Sequence, residues 1–488
     1  MRAQSHSHKA NRGCWTCKSR KVGCDRSLPH CNNCLRTGRA CEGYEPRLVW
    51  RRPESTIGPQ YTHSKWPHSS ANSTQTETKF LNFNSRDLDL AAGRLDWHRV
   101  LMDALAGPRY NPTIYQPGTH QERAIFSYYL QVIAPMCSTT HSDNGLWREL
   151  PPVALSSHDA STDALFYSML AISGHHRWGP SVANPFRTKA VEALTRSLTH
   201  TNSCAQNSTP SQLAAVMMMC MHSVFDVNEG HFYIHLEGAR RVLHNLSSDY
   251  KQNKITKFLS VWLMYYDILD NFAHPLRKTQ SPLDHNLSFD NSSTIIGLLG
   301  CSPGVFSVIH RINVLRADIL LQHNDIHAVA EASQQRSRLE AMLLFSEQRL
   351  SPDETNCLVH PSSVEALAKA ELYRLAALLY LQRVVPVDGD EERRTVYLQQ
   401  ALSILIGLSV ASSPWPCFII ACEVKLEEQR LQILEVLNKM DTVRKVGNMP
   451  VTRTIVETVW KQQDLRVGTE RASWWSCPSF DLSVPWFA

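Results

Sequence analysis

No stretch of this 488-residue sequence has an apolar run approaching the length of a bilayer-spanning helix, so a helical membrane protein is not expected. The first residues, MRAQSHSHKANRG, have no apolar stretch behind their charges. A secretory signal is therefore not expected, the chain reads as nucleocytoplasmic, and its thiols read as reduced. The sequon Asn207-Ser208-Thr209 then counts as a chance match. G-x-S-x-G, phosphate-loop, H-E-x-x-H and dinucleotide patterns are all missing, which leaves catalysis without a recognisable carrier. Ser173-Gly174-His175-His176 has suggestive residue types, but such neighbours at a helix end are usually structural.

Acidic residues are scarce where basic ones are dense. The first 52 residues hold 12 Lys+Arg against 3 Asp+Glu, a balance of +9, and the remainder has a balance of −4. The excess positive charge sits in the first tenth of the chain, the footprint of a small module that meets a polyanion. Cysteine is divided in the same way. Six of the 14 lie between Cys14 and Cys41, and the other eight include no pair spaced by two residues. In a reduced compartment a dense cluster points to metal, and scattered cysteines to small buried hydrophobes.

Composition predicts three regions. Residues 1–47 are the cysteine-rich basic module. Residues 48–118 form a linker, rich in Ser, Thr, Asn, Gln and Pro over RRPESTIGPQYTHSKWPHSSANSTQTET, with room for one short helix. Residues 119–488 repeat apolar positions at helical spacing and predict a large all-α domain. Thr119, Ser161 and Ser211 stand where N-caps are expected, just ahead of apolar-periodic runs. Leu81, Leu88, Leu95 and Met102 stand seven apart, a spacing that suits a coiled-coil homodimer. The positions three later, Asn84, Ala91, His98 and Leu105, make a poor second seam, so a helix laid on the regulatory domain is the alternative. The terminal SWWSCPSFDLSVPWFA carries one acid, and docking of its tryptophans on the helical domain is expected rather than an activation peptide.

The cluster reads Cys14-x2-Cys17-x6-Cys24-x6-Cys31-x2-Cys34-x6-Cys41, in which C-x2-C-x6-C occurs twice, offset by seventeen residues. Zinc explains the residue type, since four thiolates make a closed tetrahedral site. Six sulfurs serve two such sites only if two are shared. The repeat's symmetry suggests Cys14 and Cys31, giving one zinc Cys14, Cys17, Cys24 and Cys31 and the other Cys31, Cys34, Cys41 and Cys14. A single nuclear-receptor-like finger on Cys14, Cys17, Cys31 and Cys34 would leave Cys24 and Cys41 idle. It would also demand four more cysteines soon after, and the next is Cys137.

The segment RGCWTCKSRKVGCDRSLPHCNNCLRTGRACEGY resembles the fungal zinc binuclear cluster family of transcription factors, including the basic run after the second cysteine, Asp25 after the third and Pro29 before the fourth. The resemblance implies a sequence-specific regulator of RNA polymerase II genes, not an enzyme. It implies a nuclear location, two zinc ions, double-stranded promoter DNA and the transcription machinery as partners, and no membrane. Lys18, Arg20 and Lys21 lie in the basic run, read as a short helix that Gly23 is suited to end. The family's base contacts correspond to Arg20 and Lys21, and its usual target is a CGG-like triplet. Arg36 and Arg39 are placed by analogy for phosphate. Gly23 stands where relatives often have a further lysine. Shorter segments, among them HLEGARRVL, YYDIL and WPCFIIACEV, resemble the regulatory domain that accompanies such clusters.

Overall fold

The computed structural model describes residues 13–44, 119–203, 208–277, 293–321, 326–356 and 360–465. The chain divides into two compact units, Met1–Ala92 and Gly93–Ala488. The linker, the candidate coiled-coil positions and the aromatic C-terminal segment lie outside the described residues.

Among its described residues the first unit contains two short helices, α1 (Trp15–Ser19) and α2 (Asn32–Arg36), each following a cysteine. The second is helical, and the β-pairing among its described residues is limited to isolated bridges such as Ile296 with Cys301. Its helices are α3 (His120–Tyr128), α4 (Ala160–Trp178), α5 (Pro180–Ser203), α6 (Pro210–Phe225), α7 (Phe232–His244) and α8 (Lys254–Ala273). They continue as α9 (Pro303–Leu321), α10 (Ile326–Leu344), α11 (His360–Val384), α12 (Asp390–Gly407), α13 (Pro414–Glu423), α14 (Glu427–Arg444) and α15 (Asn448–Leu465), with shorter turns between. No helix among the described residues is long and apolar enough to cross a membrane.

One hydrophobic core runs from Ile125 to Trp460. Helix α4 packs on α5 and α6, and α6 on α7, while α11 meets α9, α10, α12 and α13. Helix α6 buries every residue except the partly buried Ser211, and α13 is buried throughout. Apart from Gln212, His222, Ser223 and Glu423 these two helices are almost wholly apolar or small, which is why they occupy the interior rather than lying on it. Met217, Met218 and Met219 are buried there as packing.

Thr119 caps α3 in a reciprocal box: its Oγ1 accepts from Glu122 N at 3.1 Å, and its own N donates to Glu122 at 3.0 Å. The other two expected caps fall two residues earlier. Asp159, not Ser161, caps α4, its carboxylate accepting from Ser161 N at 2.8 Å and Thr162 N at 3.0 Å. A carboxylate there satisfies two orphan amides and meets the positive end of the helix. Thr209, not Ser211, caps α6 in a second box with Gln212, because Pro210 takes the first helical position, where its missing N–H costs nothing.

Glu229 follows α6, with a side chain only 2% exposed. Arg187 approaches it at 2.9 Å and His235 Nε2 at 3.2 Å, the Ser223 hydroxyl donates to it, and His222 Nδ1 stands 3.8 Å away. Burial opposes its ionisation, but His222, His235 and Ser223 together hold its pKa well below the ordinary 4.5. A depressed folded pKa contributes stability that is complete above the unfolded value and lost as pH falls through the folded one. Below about pH 4.5 the urea midpoint of the wild-type helical domain should therefore drop more steeply than that of Glu229→Gln. Equal slopes in the two proteins would contradict this.

Candidate metal centre and nucleic-acid interface

Four of the six clustered cysteines, Cys14, Cys17, Cys31 and Cys34, are buried in a small core of their own, with Cys24, Cys41 and Tyr44 packed against it. Two sets of sulfurs converge: Cys14, Cys17, Cys24 and Cys31, and Cys14, Cys31, Cys34 and Cys41, each with all Sγ atoms within 4.8 Å of one another. Cys14 and Cys31 belong to both. Their Sγ atoms lie 3.5 Å apart, and Cys17 lies 3.7 Å from Cys31. A zinc–sulfur bond of about 2.3 Å gives a tetrahedron with edges of about 3.8 Å, so these separations suit thiolates around zinc. Cys17 and Cys34 also approach to 3.8 Å, which keeps the four-cysteine set of a single finger compact as well. The donor chemistry fits zinc in either grouping, and only the shared-sulfur one also uses Cys24 and Cys41.

The internal duplication appears as a structural repeat. Cys14 Sγ accepts from Cys17 N at 3.4 Å at the start of α1, and Cys31 Sγ accepts from Cys34 N at 3.3 Å at the start of α2. The two sulfurs common to both sets are thus also the two helix caps, where an amide supports their negative charge.

The sequence reading missed the polar frame around the sulfurs. The Asp25 carboxylate accepts from Asn32 N at 3.1 Å, Asn33 N at 3.3 Å and Asn32 Nδ2 at 2.8 Å, and from the Ser27 hydroxyl. The Ser27 hydroxyl first, helped by the Asn32 and Asn33 amides, outweighs the opposing effect of burial and holds its pKa well below the ordinary carboxylate range. Asn33 Nδ2 donates to Gly23 O at 2.8 Å and lies 3.8 Å from Cys17 Sγ. Tyr44 OH donates to Ser27 O at 2.6 Å. Asp25 thereby ties the end of the first half to the start of α2, and Tyr44 ties the end of the second half to the loop before Cys31. The signal available in the sequence was the acid that follows the third cysteine.

The basic run does not form one helix ending at Gly23. Helix α1 stops at Ser19, Arg20 is its C-cap, and Lys21, with φ 55°, takes the left-handed conformation expected of glycine. The turn is fixed by Lys21 N donating to Lys18 O and Val22 N to Cys17 O, each at 3.1 Å. It brings the chain back to Cys24 in time to join its sulfur set. Lys18 and Lys21 are exposed, and Lys18 Nζ lies 4.6 Å from the Trp15 ring centre. Arg20 is half-buried, its Nη1 3.5 Å from Thr37 Oγ1 across the module. Arg36 and Arg39 are exposed on the second half. Asp25 is committed to amides and the Ser27 hydroxyl, and Lys18 and Lys21 are exposed cations at and just after the end of α1.

In the helical domain, His176 of the Ser-Gly-His-His segment is pinned between Tyr128 OH at 2.9 Å and Arg444 O at 2.7 Å. His175 Nδ1 stands 3.8 Å from Asp226, and Ser173 is fully buried. This placement is that of packing and tethering residues.

A two-zinc sulfur cluster under a basic helix end, followed by a large helical domain, defines a class of DNA-binding regulators, and comparison with known proteins agrees. Residues 12–51 match the fungal Zn(2)-Cys(6) binuclear cluster domain, which binds two zinc ions. Residues 124–485 match the fungal specific transcription factor domain, and the chain belongs to that family. It is similar to "Transcription factor iacI" of Pestalotiopsis fici, 24% identical over 360 residues that cover 70% of this chain and 88% of that protein. It is also similar to "Uncharacterized transcriptional regulatory protein C965.10" of Schizosaccharomyces pombe, 21% identical over 504 residues, covering 92% of this chain and 91% of the other. A shorter likeness is 49% identity over 41 residues with "Arginine metabolism regulation protein II" of Saccharomyces cerevisiae, covering 8% and 5% of the two chains. No solved structure matches. The protein is a sequence-specific DNA-binding regulator of transcription.

Proposed function

We propose that Cys14 and Cys31 bridge two zinc ions, with Cys17 and Cys24 completing one site and Cys34 and Cys41 the other. On that reading the cluster presents Lys18, Arg20 and Lys21 to a CGG-like triplet in promoter DNA, while Arg36 and Arg39 grip phosphate. The observation that carries this is the convergence of the six sulfurs into two four-membered sets that share two members. The protein's place of work is the nucleus, its direct partner double-stranded DNA, and its regulatory partners the transcription machinery, without catalysis of its own. Residues 1–47 carry the DNA reading and 119–488 the regulation, joined by 48–118, whose heptad-spaced leucines suit a homodimer.

Exposure at the left-handed turn supports Lys21 as the reader. Nothing among the described residues pairs with its side chain, whereas Arg20 is half-buried and also leans on Thr37. A base-edge contact in the major groove contributes about 1–3 kcal/mol of discrimination, whereas a phosphate contact acts alike on every sequence. Lys21→Ala should therefore narrow the affinity gap between a CGG duplex and a scrambled one. Arg36→Ala should weaken both together and flatten the log-affinity against log-salt slope by about one. Titrations of each zinc-loaded variant on both duplexes at several salt concentrations measure this. A Lys21→Ala protein that keeps its zinc and weakens both duplexes equally would remove Lys21 from the reading role.

A further inference from the structure

The helical domain holds a partly open cavity of about 90 Å³ where segments from distant parts of the chain meet: residues 136–139, α8, the loop through Gly300, α11 and the end of α14. Trp262 of α8 is an aromatic wall, and Cys137, Tyr265, Tyr373 and Ser413 add polar groups. Tyr373 OH donates to Ser413 Oγ at 2.7 Å, so part of this rim is already ordered.

Charge in the lining is one-sided. Arg444 is its one cation, and no carboxylate among the described residues lines it. The guanidinium is half-buried and donates to two backbone carbonyls, Ser412 O and, at 3.3 Å, Met136 O. No acidic side chain among the described residues forms an ion pair with it. The other ionisable groups stay neutral: burial pushes the Cys137 thiol up to about 11 against the pull of Arg444, and raises Tyr265 and Tyr373 as well. A partly desolvated cation beside a cavity with no counter-charge favours an anion, and a guanidinium fork matches a carboxylate.

We propose that this cavity is a binding site for a small organic carboxylate, its acid group on Arg444 and its apolar body against Trp262. The size limits the ligand. An apolar cavity of about 150 Å³ holds benzene, so this one, at about 90 Å³, holds a shorter aliphatic body. The site lies wholly within the helical domain and does not rest on the assignment of the DNA-reading residues.

The test is ligand-observed NMR on the zinc-loaded full-length chain, titrated with butyrate and with uncharged butyramide. Butyrate is expected to bind saturably with a Kd of about 1 mM or tighter, and butyramide at least about tenfold more weakly. Arg444→Gln should lower butyrate to the level of butyramide. Leu298→Trp leaves the charge in place but fills the cavity from a half-buried lining position, and should remove binding of both. Far-UV circular dichroism selects the variants that fold, and either one alone decides the matter. Absence of saturable butyrate binding, equal binding of the two ligands by wild type, or undiminished butyrate binding in a folded variant would overturn the proposal.

Discussion

Cys31→Ala should release both zinc ions from the N-terminal module, whereas Cys24→Ala should release one. Cys31 belongs to both sulfur sets and Cys24 to only one. A structural zinc ion contributes about 10–16 kcal/mol of apparent binding energy, and in so small a module that energy is folding energy. The described part of this unit buries little besides its cysteines, so no apolar core stands in for the metal. Loss of Cys31 should thus unfold the module as thoroughly as a chelator does, while Cys24→Ala should keep one metal and part of the fold. Native mass spectrometry of each variant counts the ions. One zinc in the wild type, unaffected by Cys24→Ala or Cys41→Ala, would favour the four-cysteine finger, whose sulfurs Cys14, Cys17, Cys31 and Cys34 also lie close together.

The second large effect belongs to the helical domain. Arg240→Ala should destabilise it by about 3–5 kcal/mol, because it strands the buried Asp267 carboxylate, whereas Asp270 keeps His274 and Arg277 as partners. Arg240 Nε and Nη2 donate to Asp267 Oδ1 at 2.9 and 2.6 Å, and Nη2 lies 3.9 Å from Asp270 Oδ2. All three residues are buried and join α7 to α8. Burial pushes Asp267 up to about 6 even with Arg240 beside it, so the guanidinium is what keeps that carboxylate charged near neutral pH. The same physics predicts asymmetry. Replacing both partners, as Arg240→Met with Asp267→Leu, should cost much less than Arg240→Ala alone, since no charge is then left unpaired. Urea unfolding followed by tryptophan fluorescence measures both proteins. Equal losses in the single and double variants would contradict the ion-pair account.

These two regions differ in how much of them the sequence reveals. Metal coordination demands one residue type at short fixed spacings, so the cysteine cluster and its two-fold repeat are visible in the chain itself. Helical periodicity is also local, and the all-α character of the second unit follows from it. Chain reversals and caps are less so. Glycine is the usual residue for a left-handed turn, and Gly23 was accordingly the expected helix end. The hydrogen bonds of Lys21 and Val22 instead close the turn two residues earlier. Asp159 and Thr209 displaced the expected caps because a carboxylate and a proline at the first helical position outweigh a nearer serine. Arg240 and Asp267 lie in HLEGARRVL and YYDIL, two segments whose resemblance to the family was apparent but whose pairing was not. Nothing in local spacing marks contacts across 27 residues, nor the convergence on the Arg444 cavity.

The central claim is that a two-zinc cluster gives this chain its choice of DNA sequence, and the most direct measurement is the affinity of the full-length protein for a CGG duplex and a scrambled one, before and after zinc removal. With zinc the CGG duplex should bind at least about tenfold more tightly, the worth of one good base contact. After chelation that preference should vanish, leaving only weak, salt-sensitive binding alike on both duplexes, and added zinc should restore it. A preference that survives complete removal of the metal, or equal binding of both duplexes by a protein carrying two zinc ions, would contradict the account.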